Sequence, residues 1–347
     1  AIGNNSLRDN TTGIYNIGLG SSALEKNTTG NYNTAIGRTT LQSNTTASNN
    51  TGIGAGVMQL NTTGANNTAI GFASLSLNTT GASNTAIGVS SLYNNTTASF
   101  NTSVGYNSLA GNTTGSQNIA IGYFSLLNNN TGNQNVAIGN NTLQNNTASQ
   151  NTAIGNIALL QNTTGANSTA IGNQALSLNT TGTQNTAIGS GALANNTTAN
   201  YNTAVGNNSL GSNTTGNNNT AVGLASLQTN TTGIDNTAVG LTSLGVNTTG
   251  QYNAAFGRSS LNANTTGNFN TAIGSQALAN ITTGSQNIAI GYNSGGGITT
   301  GSSNTIIGAS VTGLPSTLSQ NIILADGVGN VRLFSDANGL IGINQAV

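Results

Sequence analysis

A short pattern of apolar and polar positions repeats along the chain. One period, residues 27–43, reads Asn-Thr-Thr-Gly-Asn-Tyr-Asn-Thr-Ala-Ile-Gly-Arg-Thr-Thr-Leu-Gln-Ser. The glycine after the Ile marks the pattern in steps of 17 residues from Gly3 to Gly308, with one step of 16 between Gly139 and Gly155. A fixed short period indicates a repeat architecture, in which each unit packs against its neighbours along the chain.

Each period predicts two short strands and a turn. Residues 33–37 alternate as a strand does, which would place Thr34 and Ile36 on one face, and we expect that face to be the core. Leu41 is the second apolar position of the period, and we expect it to lie on a second strand across the coil. The Asn-Thr-Thr-Gly segment supplies a turn. The core predicted in this way is represented by Ile36, Leu41, Ile70, Leu75, Ile87 and Leu92.

Stacking these periods gives an all-β fold, a parallel β-solenoid with about 17 residues per coil that forms an elongated rod. Equivalent strands would pair in parallel at ~4.8 Å, and columns of identical Asn residues predict ladders of side-chain amides. We assign residues 1–308 to a regular shaft and residues 309–347 to a distal transition segment that continues the pattern, for about twenty-one coils in all. In that segment Val331–Phe334 and Leu340–Ile343 are expected to be strands about a turn.

Two columns of small residues flank the predicted core positions. By alternation, neither the Ala before each Ile nor the Ser or Ala before each Leu should face the core. A solvent-facing column has no reason to exclude large side chains, so we favour close approach of another chain over the alternative of a turn too tight for bulk. The candidate interface residues are Ala35, Ala69, Ala86, Ala120, Ala137, Ser74, Ser91 and Ser108.

Composition narrows the function. Charged residues are 3% of the chain, none lies between Arg38 and Asp235, and the formal net charge is zero. We therefore expect no nucleic-acid partner, and the lack of any long apolar run predicts no membrane contact within this segment. His and Cys are absent and the five acidic residues are scattered, so we expect no catalytic residues, no metal site and no cofactor.

Aromatic residues are the best candidates for surface ligand binding. They recur before the Asn of the strand and after the repeat glycine, where planar rings beside amide groups suit sugars. The alternative, rings stacking on one another along a surface ladder, is favoured for any single residue. The candidates are Tyr15, Tyr32, Phe100, Tyr201, Tyr252, Phe269, Tyr106 and Tyr123.

The Asn-Thr-Ala-Ile-Gly…Ser-Leu…Asn-Thr-Thr-Gly period, from Ala1 to about Gly308, resembles repeats in tail-fibre-like surface proteins of bacteria and their phages. It is also similar to the Ala-Ile-Gly repeats of trimeric autotransporter adhesin heads, although those use shorter coils. The segment from Gln320 resembles the region that leads from such repeats toward the C-terminal part of those fibres. The resemblance implies a left-handed β-roll, three chains side by side, and attachment to a surface or host.

We therefore expect a non-enzymatic structural and adhesive fibre segment, extracellular, on a cell surface or on a phage virion. Its expected partners are copies of itself in a homotrimer and a surface glycan or host receptor. Because the chain starts at Ala1 within a repeat, we expect it to be a piece of a longer protein.

Two other functions stay open. An ice-binding solenoid would present Thr columns such as Thr28, Thr45, Thr62, Thr96 and Thr113, although these lie in the turn and the Thr34 column is expected to face inward. The third alternative is a subunit of a self-assembled extracellular filament.

Overall fold

The computed structural model describes residues 1–343, whose contacts divide into two units, Ala1–Ser168 and the residues from Thr169 onward. Among these residues no helix is long and apolar enough to cross a membrane. The strands of the first unit are β1 (Ile17–Leu19), β2 (Thr34–Ile36), β3 (Thr51–Ile53), β4 (Thr68–Ile70), β5 (Thr85–Ile87), β6 (Thr102–Val104), β7 (Ile119–Ile121), β8 (Val136–Ile138) and β9 (Thr152–Ile154).

The second unit repeats the arrangement and ends in a hairpin. Its strands are β10 (Thr169–Ile171), β11 (Thr186–Ile188), β12 (Thr203–Val205), β13 (Thr220–Val222), β14 (Thr237–Val239), β15 (Ala254–Phe256), β16 (Thr271–Ile273), β17 (Ile288–Ile290), β18 (Thr305–Ile307), β19 (Ile322–Ala325), β20 (Val331–Ser335) and β21 (Ile341–Ile343).

From β1 to β9 in the first unit and from β10 to β19 in the second, each strand pairs in parallel with the equivalent strand of the next coil. In the first unit Thr34 pairs with Thr51 and Ile36 with Ile53, and β10 to β19 continue in the same way in the second. The 16-residue step keeps this register, because the turn at Asn146 is one residue shorter: its Nδ2 donates to the carbonyl of Ala148, two residues on instead of three. The predicted parallel β-solenoid of about 17 residues per coil is confirmed in both units.

The face of each strand that was predicted to point into the core points outward instead. In β1 to β18 the middle residue of each strand is buried and the flanking two lie outside: Ala35 is fully buried, whereas Thr34 and Ile36 are partly exposed. The expected core positions Ile36, Ile70 and Ile87 were therefore wrong, and Ile87 is 37% exposed. The Leu column does fill the core, since Leu41, Leu75 and Leu92 are fully buried.

Ala faces inward because a coil this narrow has room for only one large aliphatic side chain. In the coil of Met58 the strand residue shrinks to Gly52, because Thr40 and Val57 replace the usual Ser or Ala and a Cβ on Gly52 would lie 2.7 Å from the Thr40 Cγ2. The reverse exchange occurs near the distal end: Ile306 takes the Ala position and Gly295 takes the Leu position. Both exchanges conserve the volume of the interior, as close packing requires.

The Leu column does not form a second strand, so that prediction was also wrong. Leu41 lies in the turn that follows Gly37, with a left-handed φ of 51°. That conformation costs a non-glycine residue ~1–2 kcal/mol, and full burial of the Leu side chain returns about as much or more. Its N–H still donates to the Val57 carbonyl of the next coil at 2.9 Å.

The repeat glycine makes the corner between the strand and this turn. Gly71 has φ +129°, and a Cβ there would lie 2.5 Å from the carbonyl oxygen of Gly88. No other residue type fits such a close approach of successive backbones.

The small-residue columns are interior and not surfaces for another chain. The Ala residues proposed for that contact are 0% exposed in the single chain, and so are the Ser residues. The Ser hydroxyls donate to the strand carbonyl of the next coil, as from Ser74 to Ala86 at 2.8 Å and from Ser108 to Ala120 at 2.9 Å. The contradicted interface residues are Ala35, Ala69, Ala86, Ala120, Ala137, Ser74, Ser91 and Ser108.

Two ladders of buried amides form the rest of the interior, as the Asn columns predicted. In the first amide ladder, the column of Asn27 and Asn44, the Asn44 Nδ2 donates to the Asn27 Oδ1 at 2.8 Å and to the Ala47 carbonyl at 3.0 Å. In the second amide ladder, the column of Asn33 and Asn50, the Asn33 Oδ1 accepts from the Asn50 N–H at 3.0 Å. Each amide of the first ladder is thus bonded to an adjacent coil and to its own turn, whereas the second ladder bonds to adjacent coils, as the Asn33 Nδ2 does to the Ala47 carbonyl at 2.8 Å.

The solenoid register ends earlier than predicted. β19 still pairs in parallel with β18, but β20 and β21 run antiparallel, so the last two periods form a hairpin and the count of about twenty-one coils was wrong. The two strands predicted about a turn are β20 and β21. Pro315 lies in the loop before β19. Residues 344–347, the end of the predicted transition segment, lie outside the described residues.

Candidate functional site

An apolar surface runs along the outer side of the parallel sheet in each unit. We call it the sheet face; it consists of the first and third residues of each strand. Its Ile and Val side chains remain partly exposed although they stack on one another: Ile121 is 38% exposed, Ile188 38% and Ile273 43%. Surfaces of this kind are uncommon on isolated soluble proteins and mark sites of interaction.

The sheet face is also uncharged. In the first unit it carries Thr and Ile or Val in two parallel columns, with Ile119 and Val136 replacing Thr. Those replacements first suggested an inward-facing column, but Ile119 is 39% exposed. The exchange of Thr for Ile and Val in this column was the signal in the sequence that both columns of the sheet face accept apolar side chains.

The aromatic candidates are brought together in pairs by the stacking of coils. Tyr15 and Tyr32 stack at a centroid distance of 5.0 Å, and Tyr252 and Phe269 stack at 4.9 Å with an interplanar angle of 3°. Tyr106 and Tyr123 stack at 5.5 Å. The rings are nevertheless about half exposed or more, with values from 47% for Tyr252 to 71% for Tyr15.

Phe100 and Tyr201 have no ring above or below them in their column. The neighbours of Phe100 one coil away are Ser83 and Gln117, and those of Tyr201 are Gln184 and Asn218. The candidate aromatics therefore make several separate exposed patches and not one continuous platform. The patch of Tyr106 and Tyr123 gains a third ring that the sequence did not single out, Phe124, whose centroid lies 4.1 Å from that of Tyr123.

The charged groups form local turn contacts. Arg8 bridges Asp9 at 2.9 Å and also reaches Glu25, whose pKa is lowered mainly by the hydrogen bond from the Gln42 side chain. Among the described residues no group of three or more His, Cys, Asp or Glu side chains is placed to hold a metal ion.

Near the distal end two Asp side chains cap the turns of the hairpin. The Asp326 Oδ1 accepts from the N–H groups of Val328 and Asn330, and its Oδ2 accepts from the Asn330 amide and from Arg332 at 2.6 Å. The Asn330 amide is the largest of several contacts that hold the pKa of Asp326 well below its usual range. The Leu340 N–H chiefly lowers the pKa of Asp336 in the next turn.

The turn Thr hydroxyls are engaged within the solenoid. The Thr45 Oγ1 donates to the Thr62 carbonyl at 3.2 Å, and Thr96 and Thr113 donate in the same way to the next coil. By contrast, the Thr34 column lies on the sheet face, which corrects the expectation that it faces inward.

Comparison with models of known protein families gives no match, and no curated protein sequence matches the chain either.

Proposed function

We propose that this chain is a non-enzymatic structural and adhesive fibre segment whose copies pack side by side through the sheet face. The observation that carries the proposal is the column of half-exposed Ile and Val residues along the outer side of each sheet. Burying that apolar surface against another copy is favourable by about 25 cal/mol per Å².

A second copy is the partner that suits this surface best. Its columns recur at the same coil spacing, so side chains of two copies interdigitate along the whole length of a sheet. The absence of charge between Arg38 and Asp235 removes like-charge repulsion from such a contact. The resemblance to adhesin heads and tail fibres supports three copies, a left-handed coil and a location outside the cell or on a virion.

The proposed role is mechanical. Each coil is tied to the next by backbone hydrogen bonds and by two amide ladders, which makes the shaft stiff, and a stiff uncharged shaft holds a binding region away from a surface. Weak sites repeated along the shaft and multiplied by self-association would add avidity for a surface glycan or host receptor.

The oligomeric state of the full chain tests the proposal. We expect light scattering after size exclusion to give a multiple of the chain mass, most simply three. Ile87→Lys/Ile121→Lys places two charges on the sheet face two coils apart, and it should lower the mass to that of one chain. Thr97→Lys/Thr131→Lys adds the same charges at the same spacing on exposed turns and should leave the oligomer intact. A monomeric wild-type chain, or dissociation by both variants, would refute the proposal.

One observation favours ice binding as a second candidate. Thr34 and its equivalents lie in a regular column on the outer side of the sheet beside Ile, and not inward as the sequence suggested. Thermal hysteresis in solutions of the wild type and of Thr97→Lys/Thr131→Lys, lost in Ile87→Lys/Ile121→Lys, would support this function, whereas a fibre segment shows none. End-to-end polymers in electron micrographs would instead support the filament subunit.

A further inference from the structure

A depression of about 430 Å³ lies in the first unit, on the side of the coil that follows the repeat glycine. None of its lining residues belongs to the strands of the sheet face, so it remains accessible when that face is covered. Its volume falls within the range of small-molecule sites. The residues that matter here are Arg38, Gly56, Gln59, Phe72 and Tyr93.

The depression exists because one surface column has only a Gly and an Ala in two successive coils. The equivalent positions of successive coils are Thr39, Gly56, Ala73 and Ser90. At Gly56 a Cβ would find only the Ala73 Cα, at 4.0 Å, so the floor is open. The left-handed φ of +69° does not explain the glycine, because Thr39 and Ala73 adopt similar values of 57° and 54°.

The walls combine one cation, two rings and one amide. Phe72 is 61% exposed and Tyr93 is partly exposed, so both offer apolar surface to a ligand. The Gln59 Nε2 is directed to the Gln42 Oε1 at 3.4 Å, which leaves the Gln59 oxygen to accept from a ligand hydroxyl.

Arg38 is the only charged residue that lines the depression. In the described part of the chain its guanidinium makes no ion pair, because Glu25, one coil earlier in the chain, is bound by Arg8 and Gln42. No carboxylate occurs in the sequence from Arg38 to Asp235 that could compensate it. A guanidinium binds a carboxylate through two parallel hydrogen bonds, and one positive charge matches one negative charge.

We propose that this depression binds an acidic sugar unit of a glycan, with its carboxylate on Arg38, its ring against Phe72 and Tyr93, and a hydroxyl on Gln59. The site rests on the attachment role proposed above and names what the shaft attaches to. It does not depend on the oligomeric state, so binding and self-association fail or succeed separately.

A second arginine that follows a repeat glycine, Arg258, provides a matched control. Arg258 occupies the same position of its coil as Arg38, but the next coil carries Gln276 where the Arg38 site has Gly56. Asn occurs naturally at the Arg position, for example at Asn140 and Asn207, so Arg38→Asn and Arg258→Asn are compatible with the fold. Gln occurs with a left-handed φ at the Gly56 position, as at Gln174, so Gly56→Gln fills the floor without new backbone strain.

The test is calorimetry and ligand-observed NMR of the full chain with methyl glucuronide, tetragalacturonate, methyl glucoside and sulfate at low ionic strength. We expect the two carboxylated sugars to bind at least tenfold more tightly than the glucoside or sulfate. Arg38→Asn should weaken this binding at least tenfold, and Gly56→Gln should abolish it. Arg258→Asn, and Ala225→Gln at the equivalent position of the second unit, should leave it unchanged.

Other outcomes overturn the proposal. They are no saturable binding of either carboxylated sugar below about 10 mM, equal binding of the glucoside, sulfate binding that competes with the sugars at equal strength, or equal losses in Arg38→Asn and Arg258→Asn. Circular dichroism of each variant shows whether a loss comes from unfolding, and the unchanged spectrum expected for Arg38→Asn makes its result decisive.

Discussion

Asn264 and Ile281 occupy the same position in consecutive coils, and the buried Oδ1 of Asn264 has no hydrogen-bond partner there. Earlier in the first amide ladder each Oδ1 accepts from the Asn of the next coil, as the Asn247 Oδ1 does from Asn264 at 2.9 Å. Ile281 and Ile298 are fully buried and cannot donate. The ladder therefore ends on an unsatisfied oxygen, and aliphatic packing takes over its column.

This ending predicts that replacing an Asn in the middle of the ladder lowers the stability of the fold more than replacing the last Asn does. Asn213→Leu would leave two groups unpaired: the Asn196 Oδ1, which accepts from Asn213 at 3.0 Å, and one N–H of the Asn230 amide, which donates to the Asn213 Oδ1 at 2.8 Å. Asn264→Leu removes the existing orphan and creates one at Asn247, with no net change. We expect Asn213→Leu to lower the free energy of unfolding by about 1–3 kcal/mol more than Asn264→Leu does, measured by urea denaturation. Equal losses would contradict the ladder as the source of the difference.

The exchange of Ala and Leu volumes predicts coupling across the core. Ala187 and Leu176 correspond in position to Ile306 and Gly295, where a Cβ on Gly295 would lie 3.3 Å from the Ile306 Cδ1. Ala187→Ile overpacks the coil and should destabilise it by about 1–3 kcal/mol. Adding Leu176→Ala should restore part of that loss, although Leu176→Ala alone is destabilising. Additive effects in thermal or urea unfolding would show that the two side chains do not share one space.

The aromatic columns predict a stability difference between stacked and isolated rings. Phe269→Ser removes the ring stacked on Tyr252, and we expect a loss of about 0.5–1.5 kcal/mol. Phe100→Ser removes a ring without a stacked neighbour in its column and should change stability by less than about 0.5 kcal/mol. Ser is compatible with this position, since Ser83 adopts the same left-handed backbone. Similar losses from both variants would mean that stacking contributes little here.

The distal hairpin should be the part of the second unit that responds to acid. The pKa values of Asp326 and Asp336 are lowered in the folded state, so their ionised forms stabilise it above the unfolded pKa near 3.8. That contribution is lost as the pH falls through about 4 toward the lower folded values. We expect the amide protons of β20 to lose exchange protection between pH 4 and pH 2.

Asparagine variants provide the control for the acid response. Asp326→Asn and Asp336→Asn should weaken the hairpin at pH 6 and flatten its response to acid. The amide ladders contain no titrating group, so the strands β10 to β18 should keep their protection over the same range. A uniform loss across the second unit would contradict the assignment to the two turns.

The period of the sequence was sufficient to predict the stacking of coils, the parallel pairing and the amide ladders. When identical residues recur at a fixed spacing, stacked coils are one of few arrangements that place Asn next to Asn, Ala next to Ala and Leu next to Leu. The Leu column was correctly predicted to lie in the core, because no other large aliphatic residue recurs over so many coils with so little variation.

Which side of the strand faces inward could not be predicted in the same way. Alternation tells that Ala35 and Ile36 face opposite sides, but it does not say which side is the core. The larger residue is the usual choice, and it was the wrong one here. The left-handed backbone of Leu41 was also missed, because local propensity disfavours it and only tertiary burial offsets its cost.

The same error misplaced the candidate surfaces. Small residues such as Ala35 and Ser74 were assigned to a chain interface, and the sheet face with Ile36 was assigned to the core. The depression at Arg38 was not foreseen, because it depends on side chains of four successive coils that lie near one another only after stacking.

The amino-acid sequence by itself thus determined the repeat, the parallel solenoid and the polar ladders, since these follow from periodicity. Only the tertiary structure decided which face of each strand is buried, and therefore which side chains form the outer surfaces. The reason is the width of one coil: a narrow interior that already holds a Leu and two Asn side chains admits only a small strand residue and turns the Ile and Thr outward.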